Sequence, residues 1–186
     1  NIVRGNGDFG IHAAYGYHKI ENNIIIENNG AILSHQGGTN DVFYNSIINN
    51  SSGGNGNIDN GAGASVFDSY AYNGMNTNFA YNTIVHNSSN IALIRIEGGN
   101  ILTFSPDNNI HNNYANYDLY NTLALSNGNI DATQNYWGTS NSTNIENRLY
   151  DWNDNGSSSF INYTPINDNP SILAPISPPK NVLKEG

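Results

Sequence analysis

Cysteine is absent from the chain, and lysine plus arginine number only six. Without thiols there is neither a disulfide scaffold nor thiol chemistry to consider. At a formal net charge of −9, the chain lacks the clustered cations that nucleic acid or an anionic membrane surface calls for. No apolar run approaches the ~20 residues that cross a bilayer as a helix. A nucleic-acid partner and membrane insertion are therefore not expected. No segment carries a sustained 3.6-residue apolar period either, which leaves little room for amphipathic helices. Proline is scarce until the end, where five of the six lie between Pro165 and Pro179.

What the chain has instead is asparagine, 38 residues of it, with 19 glycines. Both tolerate a positive φ and suit tight corners. A short phrase recurs: Asn or Gln, a variable residue, then a hydrophobic residue and often a second. It reads Asn22-Asn23-Ile24-Ile25, Asn45-Ser46-Ile47-Ile48, Asn82-Thr83-Ile84-Val85, Asn108-Asn109-Ile110 and Gln134-Asn135-Tyr136. A half-copy, Asn1-Ile2-Val3, opens the chain in the register of Asn23-Ile24-Ile25. The returns come at intervals of about 22, 23, 37, 26 and 26 residues, the range of solenoid repeats. A unit that short encloses no core of its own and must stack on its neighbours.

Within each repeat, β-prone runs of three to five residues are bounded by turn formers, which is a strand signal. Examples are Tyr17–Ile20, Asn23–Ile26, Ala31–Ser34 and Asp41–Tyr44. Stacked in register, the Ile and Val of successive coils line the interior. Asn residues at matching positions form amide ladders that satisfy one another and the turn backbone. The expected fold is all-β, a right-handed parallel β-helix, with coils over residues 1–133. The long interval between Ile47 and Ile84 holds an insertion at about 51–65, a loop leaving one face of the stack.

From residue 134 the pattern changes. Gln134-Asn135-Tyr136-Trp137-Gly138-Thr139 leads to Ile145–Gly156 and then to Phe160-Ile161-Asn162-Tyr163-Thr164-Pro165. This stretch resembles the C-terminal closure of bacterial secreted right-handed β-helix proteins of the pectin-lyase-like superfamily. That resemblance implies a capping segment over 134–165, with Tyr136, Trp137, Trp152 and Tyr163 covering the last coil and a helical turn near Ile145–Leu149 lying across it. Residues 166–186 read as an extended Pro-rich linker. The phrase Pro178-Pro179-Lys180-Asn181-Val182 resembles the entry to a β-sandwich of fibronectin type III kind. Because the chain begins mid-repeat, its N-terminal end is expected to meet further coils, neighbouring domains or a second subunit.

The superfamily includes pectate lyases, polygalacturonases and uronan epimerases, and the resemblance implies that their catalytic sets are the ones to expect. A lyase-type Arg or Lys base has only Arg4, Arg95 and Arg148 to draw on, with Lys19 as the only Lys within the repeats. Arg95, in Ile94-Arg95-Ile96-Glu97, reads as half of a surface ion pair with Glu97, because alternate residues of a strand share a face. Polygalacturonase-type paired Asp residues and a Gly-His-Gly phrase do not occur, and no catalytic residue is assigned. One ligand phrase remains: Asp151-Trp152-Asn153-Asp154-Asn155-Gly156 places oxygen donors at Asp151, Asn153 and Asn155 in the manner of a calcium loop. It lacks the terminal bidentate Glu, the position falling on Asn162. The same residues also read as an Asx-rich turn that caps the stack without metal.

The functional expectation is a non-catalytic structural or adhesive module of a secreted or cell-surface bacterial protein. It engages a glycan or cell-surface partner through Tyr and Asn, or stacks on itself. The alternative is the C-terminal portion of a carbohydrate-active enzyme, a lyase, hydrolase or epimerase, whose active site lies upstream. No cofactor is required by either reading, with calcium the one candidate.

Overall fold

In a computed structural model, residues 1–35, 38–52, 64–71, 75–98 and 101–176 are described. Their short runs form three main sheets whose strand pairings are all parallel, and each sheet takes one strand from successive coils. The first sheet runs Ile2–Arg4, Ile24–Ile26, Ser46–Ile48, Thr83–Val85 and Asn109–His111. The second runs Tyr17–Glu21, Gly38–Phe43, Met75–Ala80, Ile101–Thr103, Ile130–Asp131 and Ile161–Asn162. The third runs Ile11–Ala14, Ile32–His35, Ala64–Ala71, Ala92–Gly98, Tyr117–Asn121 and Leu149–Tyr150. This is a parallel β-helix.

The inward columns explain the stacking. Ile25, Ile47, Ile84 and Ile110 are buried at successive levels of the first sheet. Beside them Phe67, Phe79, Phe104 and Trp137 form a continuous aromatic file, with centroids 5.9, 5.2 and 6.1 Å apart. Full burial of each such side chain contributes about 1.5–3 kcal/mol. No coil holds enough of them alone, so the core exists only between coils.

Two buried amide ladders fix the corners. Asn23, Asn45, Asn82, Asn108 and Asn135 form the first: each residue's backbone N–H and Nδ2 donate to Oδ1 of the next. Asn28, Asn50, Asn87 and Asn113 repeat the pattern five residues further on. The residue before each ladder Asn has a positive φ: Asn22, Tyr44, Tyr81, Asp107 and Gln134 in the first column, and Glu27, Asn49, His86 and Asn112 in the second. The ladders correct the register read from the sequence. Asn23 stands opposite Asn45, and Asn135 opposite Asn108, so Asn22 and Gln134 are corner residues and not ladder members.

Several boundaries also shift. The segment from residue 134 is part of the stack as well as its closure, because Asn135 extends a ladder and two strands, Leu149–Tyr150 and Ile161–Asn162, still add to sheets. A short helix, Ser142–Glu146, is N-capped by Asn141 and buries Ile145. Trp137 is buried and Tyr163 packs on the core, but Trp152 is exposed and stacks on Phe160 at 4.8 Å. Of the expected insertion, Ser51–Ser52 and Ala64-Ser65 are strand residues, and 53–63 lie outside the described residues.

The tail differs most from expectation. Instead of leaving as a free linker, residues 166–176 turn back along the outer face of the first sheet. Asn167 N–H donates to the Asn135 carbonyl at 2.9 Å. The Asn109 side chain accepts from Ser171 N–H at 2.7 Å and donates to its carbonyl at 3.0 Å. The Thr83 hydroxyl donates to the Pro175 carbonyl. The β-sandwich-like phrase at 178–182 lies outside the described residues.

Candidate functional site

The calcium-loop phrase folds as a capping turn. Asp151 is buried, and its carboxylate oxygens accept from Asn153 N–H at 2.9 Å and Ile161 N–H at 2.8 Å. Asp154 Oδ2 accepts from Asp151 N–H, and Asn155 Oδ1 from Ser157 N–H. Asn153 turns its amide to Glu146 Oε1 at 2.6 Å, joining the loop to the short helix. The three residues singled out from the sequence thus share one turn, with the side-chain oxygens of Asp151 and Asn155 directed at backbone donors. Among the described residues, no group of three or more His, Cys, Asp or Glu is placed to hold a metal ion.

Arg95 is not a surface residue. Its guanidinium forms a two-pronged ion pair with Asp68 one coil away, Nε to Oδ1 at 3.0 Å and Nη2 to Oδ2 at 3.1 Å. The two side chains are 4% and 1% exposed. Glu97 is the more distant partner, at 3.8 Å. The alternation rule placed Arg95 and Glu97 on one face correctly. It failed on burial because the partner lies across the ladder and not along the strand. Burial raises the Glu97 pKa above the usual range, opposed by Arg95 and reinforced by Asp68.

On the same sheet, Tyr120 stacks on Tyr150 at 4.4 Å, and Tyr117 meets both. Arg148 grips Asp118 with two hydrogen bonds of 2.8 and 2.6 Å. Arg4 pairs with Glu27 and Lys19 with Glu21. The cations that a lyase-type base would require are thus each engaged by a carboxylate.

A further arrangement lies at the corner between the second and first sheets. Tyr44 and Tyr81 occupy the positive-φ column with φ of 55° and 57°. For a bulky residue this conformation costs about 1–2 kcal/mol, and other coils fill the position with Asn22, Asp107 or Gln134. The two rings stack 4.9 Å apart at an interplanar angle of 8°. Such a pair contributes about 0.5–1.5 kcal/mol, which offsets only part of the cost of two strained residues. The positive φ itself belongs to the corner, since every residue before a ladder Asn adopts it; what sets this corner apart is that two successive coils fill it with stacked Tyr rings.

Tyr44 borders a cavity of about 320 Å³, whose other walls include Asn22, Asn23, Ser46 and the tail residues Pro175 and Ile176. The docked tail therefore helps to build the site. A second cavity of about 290 Å³ lies beneath the tail, between Thr83, Asn109, His111 and Ala174. Sequence reasoning missed the corner by reading Tyr44 as the end of a strand, which stops at Phe43. The available signal was the dipeptide Tyr-Asn, at 44–45 and again at 82 with its preceding Tyr81, where the other repeats place a small or polar residue before Asn. No family model matches the chain, and neither does any of the curated proteins or solved structures compared with it.

Proposed function

We propose that this chain is a non-catalytic recognition module of a secreted or cell-surface bacterial protein, a rigid β-helix that presents a glycan-binding surface. The observation that carries this reading is the corner groove at Tyr44, where an exposed aromatic ring adjoins amide and hydroxyl groups. Sugars present C–H faces that pack on aromatic rings, and hydroxyls that pair with amides. The two amide ladders give the groove a rigid base, which limits the entropy lost on binding.

The ionisable groups support a structural role in preference to a chemical one. Arg95 with Asp68 and Arg148 with Asp118 are closed pairs, and both Asp151 oxygens serve the capping turn. The resemblance of residues 134–165 to the closure of secreted β-helix proteins agrees with an extracellular setting. A glycan array probed with the purified chain, once with calcium and once with chelator, tests the reading. Retention on a defined set of glycans is expected under both conditions. Absence of retention under either condition would remove glycan recognition and leave a spacer.

A further inference from the structure

We infer that the corner groove takes a single neutral pyranose ring, stacked on the free face of Tyr44, and rejects uronates; this rests on the glycan-binding reading above. The register of the second sheet, Glu21 opposite Phe43 opposite Ala80, orders the following corner residues as Asn22, Tyr44, Tyr81. Because Tyr81 lies parallel against one face of the Tyr44 ring, the other face looks toward the coil of Asn22. The cavity lies on that side, with Asn22, Asn23 and Ile24 from one coil and Tyr44 and Ser46 from the next. The Asn22 level supplies no aromatic ring to continue the stack, so a flat ligand completes it.

Polar groups and size narrow the ligand. Asn22 is exposed at its corner, so its amide is available to donate to one sugar hydroxyl and accept from another. Asn23, by contrast, spends its amide on Asn45 and the Glu21 carbonyl. Pro175 and Ile176 offer an apolar wall to the opposite edge of the ring. A volume of about 320 Å³ is at the lower end of small-molecule sites, which suits one ring at a chain end or branch better than a long polymer segment.

Charge decides the class. Among the described residues, none lining the cavity is ionisable apart from the Tyr44 phenol, so a uronate carboxylate meets no described Arg or Lys of the kind that recognises it. The net charge of −9 adds long-range repulsion against any polyanion. An amino sugar likewise finds no carboxylate among the described lining residues. Neutral hexoses and pentoses remain.

The test is isothermal titration of the full chain with neutral oligosaccharides (gluco-, manno-, galacto- and xylo-series) and with oligogalacturonate. It is repeated on Tyr44→Gly, which suits the positive φ and removes the ring. At least one neutral series should bind, Tyr44→Gly should weaken it at least about tenfold, or ~1.4 kcal/mol, and the melting temperature should be retained. Equal binding by Tyr44→Gly would place the sugar elsewhere and leave glycan recognition standing. Tighter binding of oligogalacturonate would overturn the neutral class. Failure of every probe, together with a blank glycan array, would overturn both readings. A Tyr120→Ala variant, altered on a different face, should bind as the parent does, and loss of binding there would move the site to the third sheet.

Discussion

Replacing Asn82 tests the amide ladders at their centre. Its side chain is fully buried. Oδ1 accepts from Asn45 N–H at 2.9 Å and Asn45 Nδ2 at 3.0 Å. Nδ2 donates to Asn108 Oδ1 at 3.0 Å, the Val42 carbonyl at 2.8 Å and the Ala80 carbonyl at 2.9 Å. In Asn82→Ala the Asn45 N–H loses its acceptor, and a buried group left unpaired costs about 1–3 kcal/mol. The carbonyls of Val42 and Ala80 also lose a donor, so the expected total is about 2–4 kcal/mol. That is a large share of the ~5–15 kcal/mol that holds a typical domain together.

Asn82→Asp is the sharper perturbation, although it is nearly isosteric. It sets an oxygen against three acceptors and places a charge among hydrogen-bond partners that are all neutral. Asp should therefore destabilise more than Ala at neutral pH. The introduced carboxyl has its folded-state pKa raised, so the folded state binds the proton more tightly than the unfolded state. Its penalty should shrink as pH falls toward the ordinary Asp value of about 3.9. Urea unfolding of both variants across pH measures this. An Asn82→Asp protein as stable as the parent at pH 7 would refute the ladder geometry.

Four further outcomes follow from the same physics. Burial raises the Glu97 pKa, so its stabilising contribution is complete below the ordinary Glu value of about 4.3 and is lost as pH rises through the folded value; Glu97→Gln should lose less melting temperature than the parent over that rise, and parallel profiles would contradict it. Arg95→Met removes both guanidinium hydrogen bonds from the buried Asp68 carboxylate and should cost about 3–5 kcal/mol in chemical denaturation, whereas a cost below about 1 kcal/mol would mean that the pair is solvated. Asp151→Ala removes the acceptor of two backbone N–H groups and should lower stability by about 2–4 kcal/mol; the parent should melt alike in calcium and in chelator, and a higher melting temperature in calcium would assign the loop to a metal. Asn109→Ala removes both hydrogen bonds to Ser171 and should speed proteolysis within 167–176 while the coils melt nearly unchanged; unaltered cleavage would show that the tail is held elsewhere.

The period was legible because a stacked coil must return its Asn and its inward Ile at fixed places. Register was harder. Asn22-Asn23 offers two amides where one ladder position exists, and only the neighbouring coil decides that Asn23 fills it. The second ladder was written in the sequence as Asn-x4-Asn, at 23–28, 45–50, 82–87 and 108–113, but the intervening apolar runs drew attention to strands.

The docked tail had its own signal. Ile24-Ile25-Ile26, Ile47-Ile48 and Ile84-Val85 put apolar residues on both faces of the first sheet, and consecutive apolar residues in a strand mean that both faces are covered. Ile26, Ile48 and Val85 form a second apolar cluster on the face opposite the core. Proline frequency suggested a free linker and outweighed that pattern. The corner groove was least legible, since it joins Asn22, Tyr44 and Pro175, residues far apart in sequence whose meeting depends on the path of the tail.

The central claim is recognition without turnover, and one measurement addresses it directly. The chain is incubated with a mixture of neutral and acidic polysaccharides, and both the bound carbohydrate and any released reducing ends or unsaturated products are quantified. The account predicts retention of neutral glycan, reduced in Tyr44→Gly, with no product released over hours. Product formation that scales with protein concentration would contradict it and make this chain an enzyme.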